Sequence, residues 1–255
     1  HLSCELGQLL GTAIEAVQTK RLLYATAFLE LDLSVSADVE PLAALNERVG
    51  GRWRLDGVVP VESGRHLLYV DVGDTPVDDI ERAADGVTGL AGHRPIETGN
   101  DRLLELRVDD DTPISGLLDA GGRIHEGTVD HGASRFVVDV TLDTDVRGYL
   151  DRLEQRGIEV DLLAKREVER TAPAARAGAA TDTGAATDTE LTERQRTVLE
   201  AAYLSGYFDW PRRRTTGEEL ADSLDIATST FHQHLRVASG KVFERYFDGD
   251  PTGAV

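Results

Sequence analysis

At 255 residues the chain has room for one large domain or two smaller ones, and it carries 46 acidic against 27 basic side chains, a formal net charge of −19. Only three of the bases are lysine (Lys20, Lys165, Lys241); an acid-rich, lysine-poor chain suits a cytoplasm holding molar salt, where the Debye length falls to about 3 Å and self-repulsion is screened. The single Cys4 excludes an internal disulfide, and no apolar run approaches the ~20 residues of a membrane span, so a cytoplasmic protein with no membrane partner is expected.

No charged-then-apolar leader is present, and the chain lacks methionine and begins at His1, which reads as a piece of something longer whose input domain lies outside it. Residues 6–21 place Leu6, Leu10, Ala13, Ile14 and Val17 on one helical face. From Leu22 onwards short strands alternate with short helices. The stretch FLELDLSV sets Leu29, Leu31, Leu33 and Val35 on one side of a strand. A helix near 39–49, strands GRWRLDGVVPV and RHLLYVDV, a helix near 76–86 and a strand near 90–98 follow. The order then recurs: strand RLLELRV, helix 113–119, strands GRIHEGTVDH and SRFVVDVTL, helix 145–155 and strand IEVDLLAKREV. Leu29-Glu30-Leu31 matches Leu104-Glu105-Leu106, and Gly50-Gly51-Arg52 matches Gly121-Gly122-Arg123. Each half reads β-α-β-β-α-β, so residues 22–170 are expected to be a duplicated ferredoxin-like α+β region. It would form two antiparallel four-stranded sheets, each with two helices on one face.

This region shows no Gly-rich phosphate loop, nucleophile elbow or Cys/His cluster. Its paired glycines mark helix-to-strand turns, and its many carboxylates read as solvated surface. No catalytic site, no metal site and no cofactor is expected. Residues 171–189, TAPAARAGAATDTGAATDT, are small and polar with a doubled GAATDT, the composition of a flexible linker.

Residues 190–255 read as an all-α domain. Thr192 with Gln195 and Thr216 with Glu219 are capping boxes. The first helix carries Val198, Leu199, Ala202 and Tyr203 on its apolar face. Leu220, Ala221, Leu224, Ile226, Phe231 and Leu235 fall where a helix-turn-helix needs apolar or small residues, with Asp225 where the turn commonly uses glycine. Thr228 or Ser229 starts the last helix. At about 100° per residue, Phe231, Leu235, Ala238 and Val242 share its inner stripe, while Ser229, Gln233, Arg236 and Gly240 face outward with Thr230 and His232 on the flanks. Serine, glutamine and arginine are residues that hydrogen-bond base edges. His232 and His234 point about 200° apart and cannot hold one metal ion from a single helix. Phosphate contacts are expected from Arg212, Arg213, Arg214, Arg194 and Lys241 and from the Thr215 and Thr216 hydroxyls. This segment holds 8 basic and 11 acidic groups, so it is the least acidic part of the chain without being basic.

The lead-in LTERQ…VL…AY..GYF.WPR together with STFHQHLR resembles the C-terminal helix-turn-helix of the haloarchaeal bacterio-opsin activator family. Residues 22–170 are similar to the domain that in this family lies between a GAF sensor and the helix-turn-helix. The helix within residues 1–21 looks like the end of that upstream sensor. The resemblance implies a transcription regulator that binds double-stranded DNA; Ser229, Thr230, Gln233 and Arg236 are expected at the bases, Arg212, Arg213, Arg214 and Lys241 at the backbone, and Thr228, His232 and Thr216 are further DNA-binding candidates. A single small reading head covers only a short half-site, which motivates a homodimer. Two other readings stand beside it: the duplicated sheets bind a small effector, or the chain is an adaptor to the basal transcription machinery.

Overall fold

The computed structural model describes residues 27–35, 41–61, 65–98, 101–169 and 191–248. The helix expected over 6–21 and the linker over 171–189 lie outside them. The described residues divide into two compact units, one built on strands and one on the last three helices.

The first unit follows the succession expected from period-two and helical patterning. It runs β1 (Ala27–Val35), α1 (Pro41–Val49), β2 (Arg52–Pro60), β3 (His66–Asp71), α2 (Val77–Ala84) and β4 (Leu90–Thr98). The second half supplies β5 (Asp101–Val108), α3 (Pro113–Asp119), β6 (Arg123–Asp130), β7 (Ala133–Val140), α4 (Val146–Gln155) and β8 (Val160–Glu169). Gly50 and Gly121 take left-handed φ of +74° and +93° where helix gives way to strand, as the paired glycines predict.

The two separate sheets expected from the repeat are not what forms. All eight strands join one antiparallel sheet in the order β4-β5-β3-β2-β6-β7-β1-β8. Its halves meet where Arg52–Leu55 of β2 pair with Asp130–Gly127 of β6. Those two strands would otherwise each leave a row of unpaired N–H and C=O groups, and joining them removes two edges. Strand β1 leaves its own half to lie between β7 and β8, and β5 lies between β3 and β4. The pairing of β1 with β8 runs the length of both strands, from Ala27 opposite Glu169 to Val35 opposite Val160.

One face of the sheet and the four helices enclose a single core. Leu29, Leu31, Leu33 and Val35 of β1 pack there, as their alternation requires, with Leu42, Ile80, Ile114 and Tyr149 from the helices. Trp53 is fully buried in it and donates its indole N–H to Thr75 Oγ1 at 3.0 Å. The intervening positions on the other face carry arginine–carboxylate pairs, among them Asp32 with Arg135 and Glu105 with Arg94. The hydrogen bond from Arg135 holds the Asp32 carboxyl below the usual carboxylate range.

His66 sits at the start of β3, buried, with Nδ1 2.9 Å from Ser115 Oγ. That hydroxyl also lies 3.0 Å from the Asp109 carbonyl and 3.0 Å from Thr112 Oγ1. Burial pushes the imidazole pKa down, against weaker opposing pulls from Asp119 and Asp110. The unfolded chain therefore binds a proton at His66 more readily than the native one. Stability from this group is present above the ordinary histidine value of about 6.5 and is lost as pH falls below it. Wild type is expected to lose up to about 1.4 kcal/mol per pH unit from this source over that window. Urea unfolding at pH 7.5 and 5.5 should show a smaller drop in His66→Asn; equal drops in both proteins would refute it.

Candidate nucleic-acid interface

The second unit holds α5 (Glu193–Leu204), α6 (Gly217–Ser223) and α7 (Thr228–Asp248). Both capping boxes form. Gln195 N–H donates to Thr192 Oγ1 while the Thr192 amide donates to Gln195 Oε1, and Thr216 and Glu219 repeat the arrangement. The small core joins Val198, Ala201 and Ala202 of α5, Leu220 and Ala221 of α6, and Phe231, Leu235 and Ala238 of α7. Tyr207 meets Phe231 edge-on, with ring centroids 5.8 Å apart.

The turn between α6 and α7 is closed by two bonds, Ile226 N–H to the Ala221 carbonyl and Asp225 N–H to the Asp222 carbonyl. This is the paired bonding of a Schellman termination, whose penultimate position is left-handed. Asp225 occupies it with φ +56°, the role the sequence pattern assigns to that aspartate. Helix α7 then begins at Thr228.

Two apolar residues leave the positions expected of them. Tyr203 is 75% exposed, and Val242 is 42% exposed. Tyr203 lies about 140° round α5 from Val198, off the buried stripe. Val242 shares the stripe of Phe231 but lies in the far part of a 21-residue helix, beyond the reach of its 7- and 12-residue partners.

The outward side of α7 presents Ser229, His232, Gln233 and Arg236, all exposed, with Thr228 exposed at its start and Thr230 half-buried at its flank. Arg236 makes no ion pair among the described residues. Ser229 and Arg236 are seven residues apart, about 10 Å along the axis, a span that fits within a major groove about 12 Å wide. His232 packs against the first residue of α6: a Cβ on Gly217 would stand 2.7 Å from its Cε1, so only glycine lets the ring lie there.

The backbone candidates are less uniform. Arg212 is exposed, Arg213 lies 4.6 Å over the Tyr207 ring, and Arg214 is ion-paired with Asp209 at 2.5 Å. Thr215 is buried, its hydroxyl donated to the Ser205 carbonyl, so it closes a loop and does not face solvent. The Thr216 hydroxyl is engaged with Glu219 in the cap. Lys241 is half-buried, about 18 Å along α7 from Ser229. Trp210, which the sequence reading did not single out, is 91% exposed beside these arginines. Its one visible signal was an aromatic residue directly ahead of Pro-Arg-Arg-Arg.

Residues 27–180 match the family model described as BAT, GAF and HTH_10 associated domain, and residues 191–244 match HTH DNA binding domain. The chain belongs to the bacterio-opsin activator family. It is 35% identical over 248 residues to a candidate transcriptional regulator of Haloferax volcanii, covering 97% of this chain and 41% of that protein. It is 27% identical to the bacterioopsin transcriptional activator of Halobacterium salinarum, covering 95% of this chain and 35% of the relative. The transcriptional regulator NarO of Haloferax volcanii is 48% identical over 59 residues, 23% of this chain and 28% of that one. The chain thus spans 41% and 35% of the length of the first two of these relatives. No described helix is long and apolar enough to cross a membrane.

Proposed function

We propose that the chain is a transcriptional regulator of the bacterio-opsin activator type that reads duplex DNA with α7. The observation that supports it most is the division of that helix. Phe231, Leu235 and Ala238 are buried on one stripe, and Ser229, Gln233 and Arg236 are exposed on the other. In this reading Arg236 takes a guanine edge, Gln233 an adenine edge, and Ser229 with Thr230 adapt to either, with Thr228 and His232 at the margins. Arg212, Arg213 and Lys241 serve the sugar-phosphate backbone, and Arg214 and Thr216 hold the loop and helix that present it. At molar salt the release of counterions contributes little, so discrimination rests on base contacts and shape. A pair of such heads, one per chain of a homodimer, would read two half-sites. The eight-stranded sheet we read as two βαββαβ units that have traded their first strands, β1 for β5, serving regulation and carrying no chemistry.

The test is selection of bound duplexes from a random pool by the purified chain in molar KCl, followed by mapping of bound genomic DNA. A recovered consensus that also marks promoters supports the reading. Recovery of random sequence, with no duplex retained above background, would sink it.

A further inference from the structure

The segment between α5 and α6 is a built loop. Its base is tied where Asp209 and Arg214 each donate a backbone N–H to the Gly206 carbonyl at 3.2 Å. The Thr215 hydroxyl donates to the Ser205 carbonyl at 3.0 Å, and the Arg214 guanidinium pairs with Asp209. Gly206 has φ +73°, and a Cβ there would stand 2.4 Å from Arg214 Cδ, so the base requires glycine. Within the loop Tyr207 packs edge-on against Phe208 and carries Arg213 over its face. What this scaffold holds at its tip is Trp210 and Arg212, both exposed.

A tryptophan is the largest apolar surface a residue can offer, and a fixed, almost fully exposed one gains nothing from the fold that holds it. From Ser205 to Gly217 the chain has three arginines against one aspartate, and that aspartate is already paired. The surround is therefore cationic in a chain whose net charge is −19. The loop runs directly into the cap of α6, and Gly217 touches His232 on the outward side of α7. The exit of the loop therefore lies beside His232, one of the exposed residues of the helix that carries Ser229 and Arg236.

We propose that the Trp210 loop is a second DNA contact. It lays the indole ring against the deoxyribose backbone beside the groove that α7 enters, with Arg212 on the adjoining phosphate. The proposal rests on the DNA-reading function above. Its physical advantage is in salt: a phosphate contact is screened in molar KCl, whereas an apolar ring on a sugar is not. The loss on removing Trp210 should therefore persist at high salt, while the loss on removing Arg212 should fade.

The chain has two tryptophans, one fully buried in the sheet unit and one 91% exposed, which makes Trp210 its own reporter. A fluorescein-labelled duplex recovered by selection is titrated with wild type, Trp210→Ala, Trp210→Phe and Arg212→Ala at low and molar KCl, following anisotropy. Acrylamide quenching is measured in parallel, with Trp210→Ala supplying the signal of Trp53 alone. Expected are shielding of Trp210 in the complex, about tenfold weaker binding of Trp210→Ala at both salts, and partial rescue by Trp210→Phe, with the preferred sequence unchanged. If wild type binds but Trp210 remains as quenchable as in the free chain, or Trp210→Ala binds as well as wild type, the proposal is overturned while DNA reading stands. Shielding of Trp210 on concentrating the chain without DNA, and none in the complex, would assign the tip to a protein contact and overturn it equally. Absence of any duplex binding by wild type would remove the parent reading and this one with it.

Discussion

Replacing Arg236 by alanine should reduce discrimination between the preferred site and one altered at the contacted base pair by about 1–3 kcal/mol, roughly five- to 150-fold. The side chain is exposed in the middle of the outward stripe and makes no ion pair among the described residues. Its forked donors are therefore available to a guanine edge without first breaking an internal bond. Gln233→Ala, one turn away and also exposed, should act similarly at a neighbouring position. The signature is selective: binding to random DNA should change much less than binding to the preferred site, because base contacts carry sequence and phosphate contacts do not. Competition titrations in molar KCl with matched and single-position-altered duplexes make the comparison. Unaltered preference in both variants would remove α7 from the reading role.

The second large effect concerns the small helical unit itself. Phe231 is fully buried at the point where α7 faces Tyr207, and its truncation to alanine should cost about 3–5 kcal/mol. A unit of this size has roughly 3–8 kcal/mol of stability in all, so most of it would be lost. Phe231→Ala should therefore abolish hydrogen-exchange protection in α5–α7 while the amides of the sheet, in the other compact unit, keep theirs. Wild-type protection of α5–α7 in the variant would show that Phe231 is not the keystone of this core.

Much of this was legible in the sequence because periodicity is a local property. The strand alternation of β1 and the capping boxes at Thr192 and Thr216 each depend on residues within a few positions, and each appears in the structure as expected. The left-handed Asp225 was readable because the helix-turn-helix spacing required a residue tolerant of that conformation. Partnering was not legible. Leu29-Glu30-Leu31 and Leu104-Glu105-Leu106 are near copies, and alternation cannot tell which half each strand joins. The structure gives each to the other's half. The loop carrying Trp210 was also opaque. Its shape comes from bonds between Ser205 or Gly206 and residues eight to ten positions later, which no period announces.

The pairing of Ala27 with Glu169 bears on how the parts of the polypeptide are joined. The first and last residues of the eight-stranded unit are direct neighbours across two strands, about 5 Å apart. Whatever is attached ahead of Ala27 and whatever follows Glu169 are thus tethered at one corner, as though the intervening 141 residues were a closed excursion. Such a unit adds bulk to the covalent path without adding reach. Lengthening or shortening its interior loops leaves the spacing of the two attachments unchanged. A signal crossing from one attachment to the other has only the β1–β8 ladder to traverse, and whatever the rest of the sheet binds can bear on that ladder from the side.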